Sequence, residues 1–407
     1  MRTYQELFRT AEFTPFFLTS AVQTAAQTVA GPALGTLVYR ETGSPLLSSL
    51  AMFGPALAQV VGAATLLSAA DRLPPRAALA GLALLLGLGT AVQALPGLPV
   101  GVAFAVLLVA GLVSSVGGGV RYGLLNEVLG KDGYLLGRSV LNMAVGAVQV
   151  GGFALGGVLV ALLSARTTLL VAAGLYAAAA LLARFGLRAR APRAAGRPSI
   201  GETWRGNALL WSSPARRTVF LALWVPNGLI VGCESLFVPY APEHAGLLLA
   251  CAALGMLAGD TAVGRFLPRR WRGRLGAPLR LLLAAPYLLF ALGPALPLAL
   301  TAVTLASVGY AASLLLQEQL MELTPEELGG HALGLHSSGM LTFQGVGAAL
   351  AGAVAGWTSP ATAMAVLGAL SVAVTLALGP VGGARRFSPA FGREVPPRAP
   401  DGASASG

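Results

Sequence analysis

Long apolar runs without a charged side chain recur along this chain, and their lengths set the first expectation. Residues 13–39, 46–70, 77–120, 139–165, 281–317 and 328–384 contain no Lys, Arg, Asp or Glu. A helix needs about 20 apolar residues to cross roughly 30 Å of hydrocarbon, so the longest runs hold two spans each. Breakers stand where such pairs need a turn, at Pro96 and Pro99, at Pro294 and Pro297, and at Pro360 after Trp357. The pattern predicts twelve transmembrane helices at 13–38, 46–70, 77–95, 99–125, 139–164, 167–185, 217–240, 245–266, 277–293, 297–319, 332–356 and 360–380.

Composition agrees with the pattern. Of 407 residues 55% are hydrophobic and 11% charged, with a mean hydropathy of +0.73; a soluble chain carries about 25% charged residues. The net charge of +11 changes the picture by its placement. With a cytoplasmic N-terminus, all but Arg40 and Arg166 of the 27 Lys and Arg fall on the inner side. Short loops follow the positive-inside rule, so both termini are expected in the cytoplasm and the protein as a multi-pass protein of the plasma membrane. The basic excess then reads as topology with some attraction to anionic lipid; arginines dispersed over several loops do not make a nucleic-acid surface. Glu6 and Glu12 stand where a cleaved leader would be purely basic.

The chain also echoes itself. Gln149, Gly152, Ala154, Leu155 and Gly157 recur in the same order and spacing as Gln344, Gly347, Ala349, Leu350 and Gly352, and Glu127 falls on Glu322 at that offset. Two related halves in an apolar chain are the mark of a transporter with its site between the halves. The expected fold is an all-α integral membrane protein, with twelve transmembrane helices in two pseudo-symmetric six-helix bundles. Residues 1–185 form the first bundle, 186–216 a basic cytoplasmic central loop, 217–384 the second bundle and 385–407 a disordered tail. The loop is too short for an independent domain, but residues 199–210 can form an interfacial helix with Trp204 at headgroup depth.

Six spans, a basic loop and six more with matched half-repeats resemble the major facilitator superfamily. After its second span that family carries a Gly-x-Leu-Ala-Asp-Arg-x-Gly-Arg-like signature; here Leu67-Ser-Ala-Ala-Asp71-Arg72-Leu-Pro-Pro-Arg76 keeps the Asp-Arg core, with Leu67 and Pro74 in place of glycines. Gly264-Arg265-Phe-Leu-Pro-Arg269-Arg270 stands at the matching place in the second half. In span 5, Gly152-Phe-Ala-Leu-Gly-Gly157 is similar to the antiporter signature Gly-Pro-x-x-Gly-Gly, with Phe153 replacing its proline. The resemblance is to the drug- and siderophore-exporter-like branch. It implies a cavity lined by spans 1, 4, 7 and 10.

The physics of these motifs stands beside the resemblance. Asp71, ending a helix among arginines, suits a cytoplasmic gate built with Arg72, Arg76, Arg265 and Arg269; the bland reading is a solvated turn that sets topology. Gly152, Gly156, Gly157, Gly347 and Gly352 offer small faces that let another backbone approach. Intramembrane polar residues are costly and point to a pathway. Gln23 and Gln27 lie one turn apart in span 1 and Asn227 near the middle of span 7, which makes them the substrate-binding candidates; Gln149 and Gln344 read as interhelical hydrogen bonds. Glu234 lies about 17 residues past Arg217, or about 25 Å along a helix. A carboxyl at that depth suits proton coupling or cation binding; its bland reading is a side chain snorkelling to the outer headgroups. Asp260 and Glu318 read as partners of Arg265, Arg269 and Arg121. Spans 1 to 6 carry no acid clear of their ends, which argues against an arrangement like that of sugar symporters.

Other chemistry finds little support. Cys233 and Cys251 make no disulfide framework, and His244, His331 and His336 lack metal-site spacing. No phosphate-binding G-x-x-x-x-G-K-[ST] run occurs, so no ATP, cofactor, metal or enzymatic centre is expected. The expected function is secondary active transport by alternating access: proton-coupled export of a small amphipathic or lipophilic molecule by a monomer in the lipid bilayer. The alternatives are a facilitator or importer of a polar metabolite, and a non-transporting membrane sensor or scaffold.

Overall fold

The computed structural model describes residues 4–70, 73–192, 200–325 and 328–379. Asp71, Arg72, Arg193, Arg197 and the 385–407 tail lie outside the described residues. Helices account for nearly all of the described chain. They are α1 (Tyr4–Arg9), α2 (Phe13–Thr42), α3 (Pro45–Ala70), α4 (Pro75–Gln93), α5 (Val100–Leu162), α6 (Ala165–Gly186), α7 (Ile200–Ser212) and α8 (Pro214–Ser235). They continue with α9 (Phe237–Tyr240), α10 (Ala245–Thr261), α11 (Arg269–Ala284), α12 (Leu296–Val308), α13 (Ala312–Glu322), α14 (Gly329–Trp357) and α15 (Pro360–Leu378).

Among the described residues, 11 helical stretches are long and apolar enough to cross a membrane. The expected first span is not one of them. It is present as α2, 30 residues long, but Gln23, Gln27 and a series of hydroxyls make it too polar to qualify. Those hydroxyls do not stay unpaired. Thr24 and Thr28 donate to the carbonyls of Ser20 and Thr24, each at 2.9 Å, and Thr36 to that of Pro32 at 2.8 Å. Such back-bonding lets a polar helix sit among others without orphan donors.

A second correction concerns spans 4 and 5, expected as separate helices joined by a loop. Helical structure runs from Val100 to Leu162, interrupted at Gly130, whose φ of 64° and ψ of 179° leave the helical region. Glycine takes that conformation without a steric penalty. The two limbs of α5 therefore join through helical extensions on either side of it. Span 9 begins earlier than expected, at Arg269, and Pro286 turns its last part into a 3-10 stretch. Span 10 is broken at Gly309, where an added Cβ would stand 2.5 Å from the Leu279 carbonyl oxygen.

Helices α2 to α6 pack on one another, as do α8 to α15, and the two sets meet along α3 against α14 and along the second limb of α5 against α10. The odd spans run from the end carrying the termini to the end carrying the short connections, here called the loop end. Helix α7 corresponds to the expected interfacial helix, though the Trp204 side chain is outside the description. It docks on the second half: Trp211 stacks on Trp224 at 5.7 Å between ring centroids, and Arg216 donates to the carbonyls of Leu209, Leu210 and Leu323.

The echo extends further than the glycines. Ser164 caps α6 by accepting from the Thr167 amide at 3.1 Å, and Ser359 caps α15 by accepting from the Thr362 amide at 3.1 Å. These pairs stand at the same offset as Gln149 and Gln344.

Candidate functional site

Between the halves lies a cavity of about 430 Å³, within the range of about 300–1,000 Å³ usual for small-molecule sites. Its walls come from both halves, and its polar lining is mostly uncharged. Seven amide side chains face it: Gln27, Gln59, Gln93, Gln149, Asn227, Gln317 and Gln344. Glu234 and Asp260 are its carboxyls; among the described residues no Lys, Arg or His lines it. Met52, Phe53, Phe153, Met256 and Met340 supply much of the apolar surface.

Of the candidate binding residues, Gln27 and Asn227 line the cavity, whereas Gln23, one turn nearer the termini end, is buried outside its wall. Asn227 is not free. Its Oδ1 accepts from Gln344 Nε2 at 3.3 Å, tying α8 to α14. Gln344 thus makes the interhelical bond expected of it and also faces the cavity. Gln149 faces the cavity as well.

Glu234 is buried on α8 and lines the cavity, with its Oε1 accepting from the Tyr310 hydroxyl at 3.0 Å. Tyr310 sits at the break after Gly309, so the local distortion of the span presents the phenol to the carboxyl. Asp260, expected as a gate or loop partner of nearby arginines, lines the cavity. Sequence reading passed over Tyr310, Gln59, Gln93 and Gln317. A lone amide in an apolar helix reads as a helix-packing bond, and only the convergence of several helices separates the two uses.

Among the described residues, several contacts between the halves close the loop end. Ser235 Oγ donates to Ser49 Oγ at 2.9 Å, and the Tyr39 hydroxyl reaches the Pro239 carbonyl at 3.5 Å. A Cβ on Gly157 would stand 2.5 Å from Gly246 Cα, and one on Gly352 2.6 Å from Leu46 Cα. From this seal the cavity extends toward the termini end, to Ser114, Asp260 and Gln317. The remaining glycines of the echo act inside their own halves. Gly152 leaves no room for a side chain beside Thr28, Gly156 lies against Val29, and Gly347 lies against the Gly228 carbonyl. Matching positions therefore hold α5 on α2 and α14 on α8, while the last glycine of each set faces the other half. Phe153, standing where the antiporter signature has proline, packs on Phe53 with centroids 5.9 Å apart.

The expected gate lies mostly beyond description. Asp71 and Arg72 are outside the described residues, as is the Arg269 side chain. Arg76 is half-buried, Arg265 is exposed, and neither joins an ion pair among the described residues. A different charge cluster stands at the termini end of the first half. Buried Glu12 accepts from the Arg188 amide at 2.6 Å and pairs with the Arg190 guanidinium, whose Nε lies 3.5 Å from Glu127. Glu12 ties the start of α2 to the chain leaving α6.

The sequence profile described as Major Facilitator Superfamily matches residues 16–336. None of the curated proteins matches the chain's sequence. Among solved structures, the nucleoside transporter NupG is similar over 90% of this chain and 97% of its own, with a TM-score of 0.70 and 15% identity. A POT family transporter in complex with 5-aminolevulinic acid covers 90% of this chain and 94% of its own, with a TM-score of 0.69 and 11% identity. A bacterial homologue of the human lysosomal transporter Spinster, in an inward-facing and unoccupied conformation, covers 91% and 94%, with a TM-score of 0.63 and 14% identity. At these identities the likeness is one of fold.

Proposed function

Because the chain belongs to the major facilitator superfamily and is a secondary transporter, we propose that it works by alternating access and exports a small amphipathic molecule in exchange for protons. The observation that carries this reading is the Glu234–Tyr310 pair, a carboxyl facing the cavity from directly beneath the loop-end seal. Its neighbour Ser235 belongs to the seal itself. When the halves part at the loop end, Glu234 is the first carboxyl exposed to that side; when they close, it faces the cavity and its contents. A group with that alternation exchanges a proton with one side and yields it where the substrate binds.

The arginine distribution supports cytoplasmic termini, and with that orientation the closed loop end faces outward and the cavity extends toward the cytoplasmic side. The gate at that side is assigned to Asp71, Arg72, Arg76, Arg265 and Arg269, whose charges pair when the inner side closes. Asp71→Asn is expected to reach the membrane in normal amount and to slow turnover; normal turnover returns the motif to a topogenic turn.

The test of coupling is Glu234→Gln in proteoliposomes under an imposed proton gradient. Uphill export is expected to be lost, while exchange down a substrate gradient persists. Gradient-driven export with unchanged pH dependence overturns the assignment. Seven amides in the lining favour a second reading, uptake of a polar metabolite; accumulation inside right-side-out vesicles selects it.

A further inference from the structure

A second cleft, of about 280 Å³, lies between α4 and the first limb of α5, and every residue lining it is apolar. It faces outward from the bundle: Leu85 and Val109, on its two sides, are each 60% exposed. In a membrane-spanning protein such surface meets acyl chains. The cleft and the central cavity are neighbours across a shared partition. Leu86, Gly89, Val106 and Ala110 line both. The partition between the spaces is therefore one layer of side chains, and at Gly89 it is closed by Val106, whose Cγ1 lies 3.2 Å from where a Cβ on Gly89 would stand, so a chain passes there only when the Val106 side chain turns aside. Directly behind that seam the character changes, because Thr90 and Gln93 of the same helix face the cavity.

The two spaces differ in charge as sharply as in polarity. Glu234 and Asp260 face the cavity, and no basic side chain among the described residues balances them. An anion entering there meets like charge in a poorly screened space, whereas a cation meets partners. We propose that the transported molecule is a single-tailed amphiphile with a cationic head. The head occupies the central cavity, and the alkyl chain passes through the Gly89–Val106 seam into the cleft between α4 and α5. The chain then stays in an apolar setting and never crosses the amide-lined wall. Because lipid is itself apolar, the cleft selects the chain by shape and by the position of its head rather than by chain length. This rests on reading the central cavity as the transport site, but on neither the direction of transport nor its coupling.

The test uses an alkyltrimethylammonium with a diazirine at the end of its chain, photolysed with the full-length protein in phosphatidylcholine vesicles without any ion gradient. Label is expected in residues 85–89 and 102–113, and is expected to fall at least about tenfold with excess dodecyltrimethylammonium but not with dodecyl phosphate. Ala105 lines the cleft but not the cavity; Ala105→Trp fills the cleft and is expected to abolish the labelling in these residues. Ala105→Leu, a smaller filling, is expected to reduce it part way and serves if the tryptophan variant does not fold. Label spread evenly over the bilayer-facing helices, or in the cleft but not competed, identifies ordinary lipid and overturns the proposal. Equal competition by dodecyl phosphate overturns the cationic head, and full labelling in both variants overturns the cleft. Because no proton gradient is used, loss of coupling in Glu234→Gln and loss of labelling here are separate outcomes.

Discussion

Glu234 and Ser235 are neighbours in sequence with different partners. The serine hydroxyl bonds across the halves to Ser49, while the carboxylate accepts from Tyr310 within its own half. A hydrogen bond to a charged group is worth about 1.5–3 kcal/mol, so removing the phenol has a measurable effect if the two act together. Tyr310→Phe is expected to slow gradient-driven export about tenfold and to do nothing further in a Glu234→Gln background. Such non-additivity marks a coupled pair, and a double-variant cycle in proteoliposomes reads it. Additive losses would mean that Tyr310 acts on the substrate by itself. Asn227 and Gln344 form a comparable pair through Asn227 Oδ1 and one Gln344 N–H, so the pair can hold while Asn227 Nδ2 and Gln344 Oε1 turn to a ligand.

The glycines of the echo divide between packing within a half and sealing between halves, and the division is testable. At Gly157 a side chain has to displace Gly246 of the other half, whereas at Gly347 it meets Gly228 of its own. Overpacking costs about 1–3 kcal/mol, but that cost falls on different equilibria. Gly157→Ala is expected to part the loop end, so that a cysteine at Ser235 in a background lacking Cys233 and Cys251 reacts faster with an impermeant reagent. Gly347→Ala is expected to lower thermal stability with little change in that reactivity. Equal effects of the two substitutions on reactivity would remove the distinction.

How far the helices and the site could be read beforehand follows from what each depends on. Spans such as α4, α6 and α15 announce themselves because length and apolarity are local properties, and proline or serine marks their starts. The helical passage through Gly130 was not legible, because the polar residues around it resemble a loop and only the fold reveals their helical setting. Gln27, Asn227 and Glu234 were legible as costly polar groups. Gln59, Gln93 and Gln317 were not, since their meeting depends on helices far apart in sequence. Tyr310 was hidden for another reason: the Gly309 break that aims it comes from close packing against α11.

For the molecule as a whole, the decisive physical quantity is its orientation. The Arg40 and Arg166 end is the loop end, where Arg166 lies 3.3 Å from Glu41; the other Lys and Arg among the described residues belong to helices at or toward the opposite end. Single cysteines at Arg40 and at Arg205, in a background lacking Cys233 and Cys251, separate the two orientations. An impermeant reagent is expected to modify residue 40 in intact cells and residue 205 only after permeabilisation. Reaction at residue 205 in intact cells reverses the orientation and with it the direction assigned to the conformation described here.

The polarity of α2 bears on how that helix enters a membrane. A segment that carries Gln23, Gln27 and so many hydroxyls gains less from hydrocarbon than any of the helices that qualify on hydropathy, and the insertion machinery weighs each emerging segment by that gain. Its partner is close at hand: the left-handed cap at Gly43 turns the chain directly into the more apolar α3, and Ser48 of α3 already bonds the Gly35 carbonyl at 2.9 Å. Helices α2 and α3 thus make a hairpin whose second arm supplies the affinity for lipid that the first lacks. The polarity that brings Gln27 to the cavity wall is part of what leaves α2 dependent on α3 during insertion.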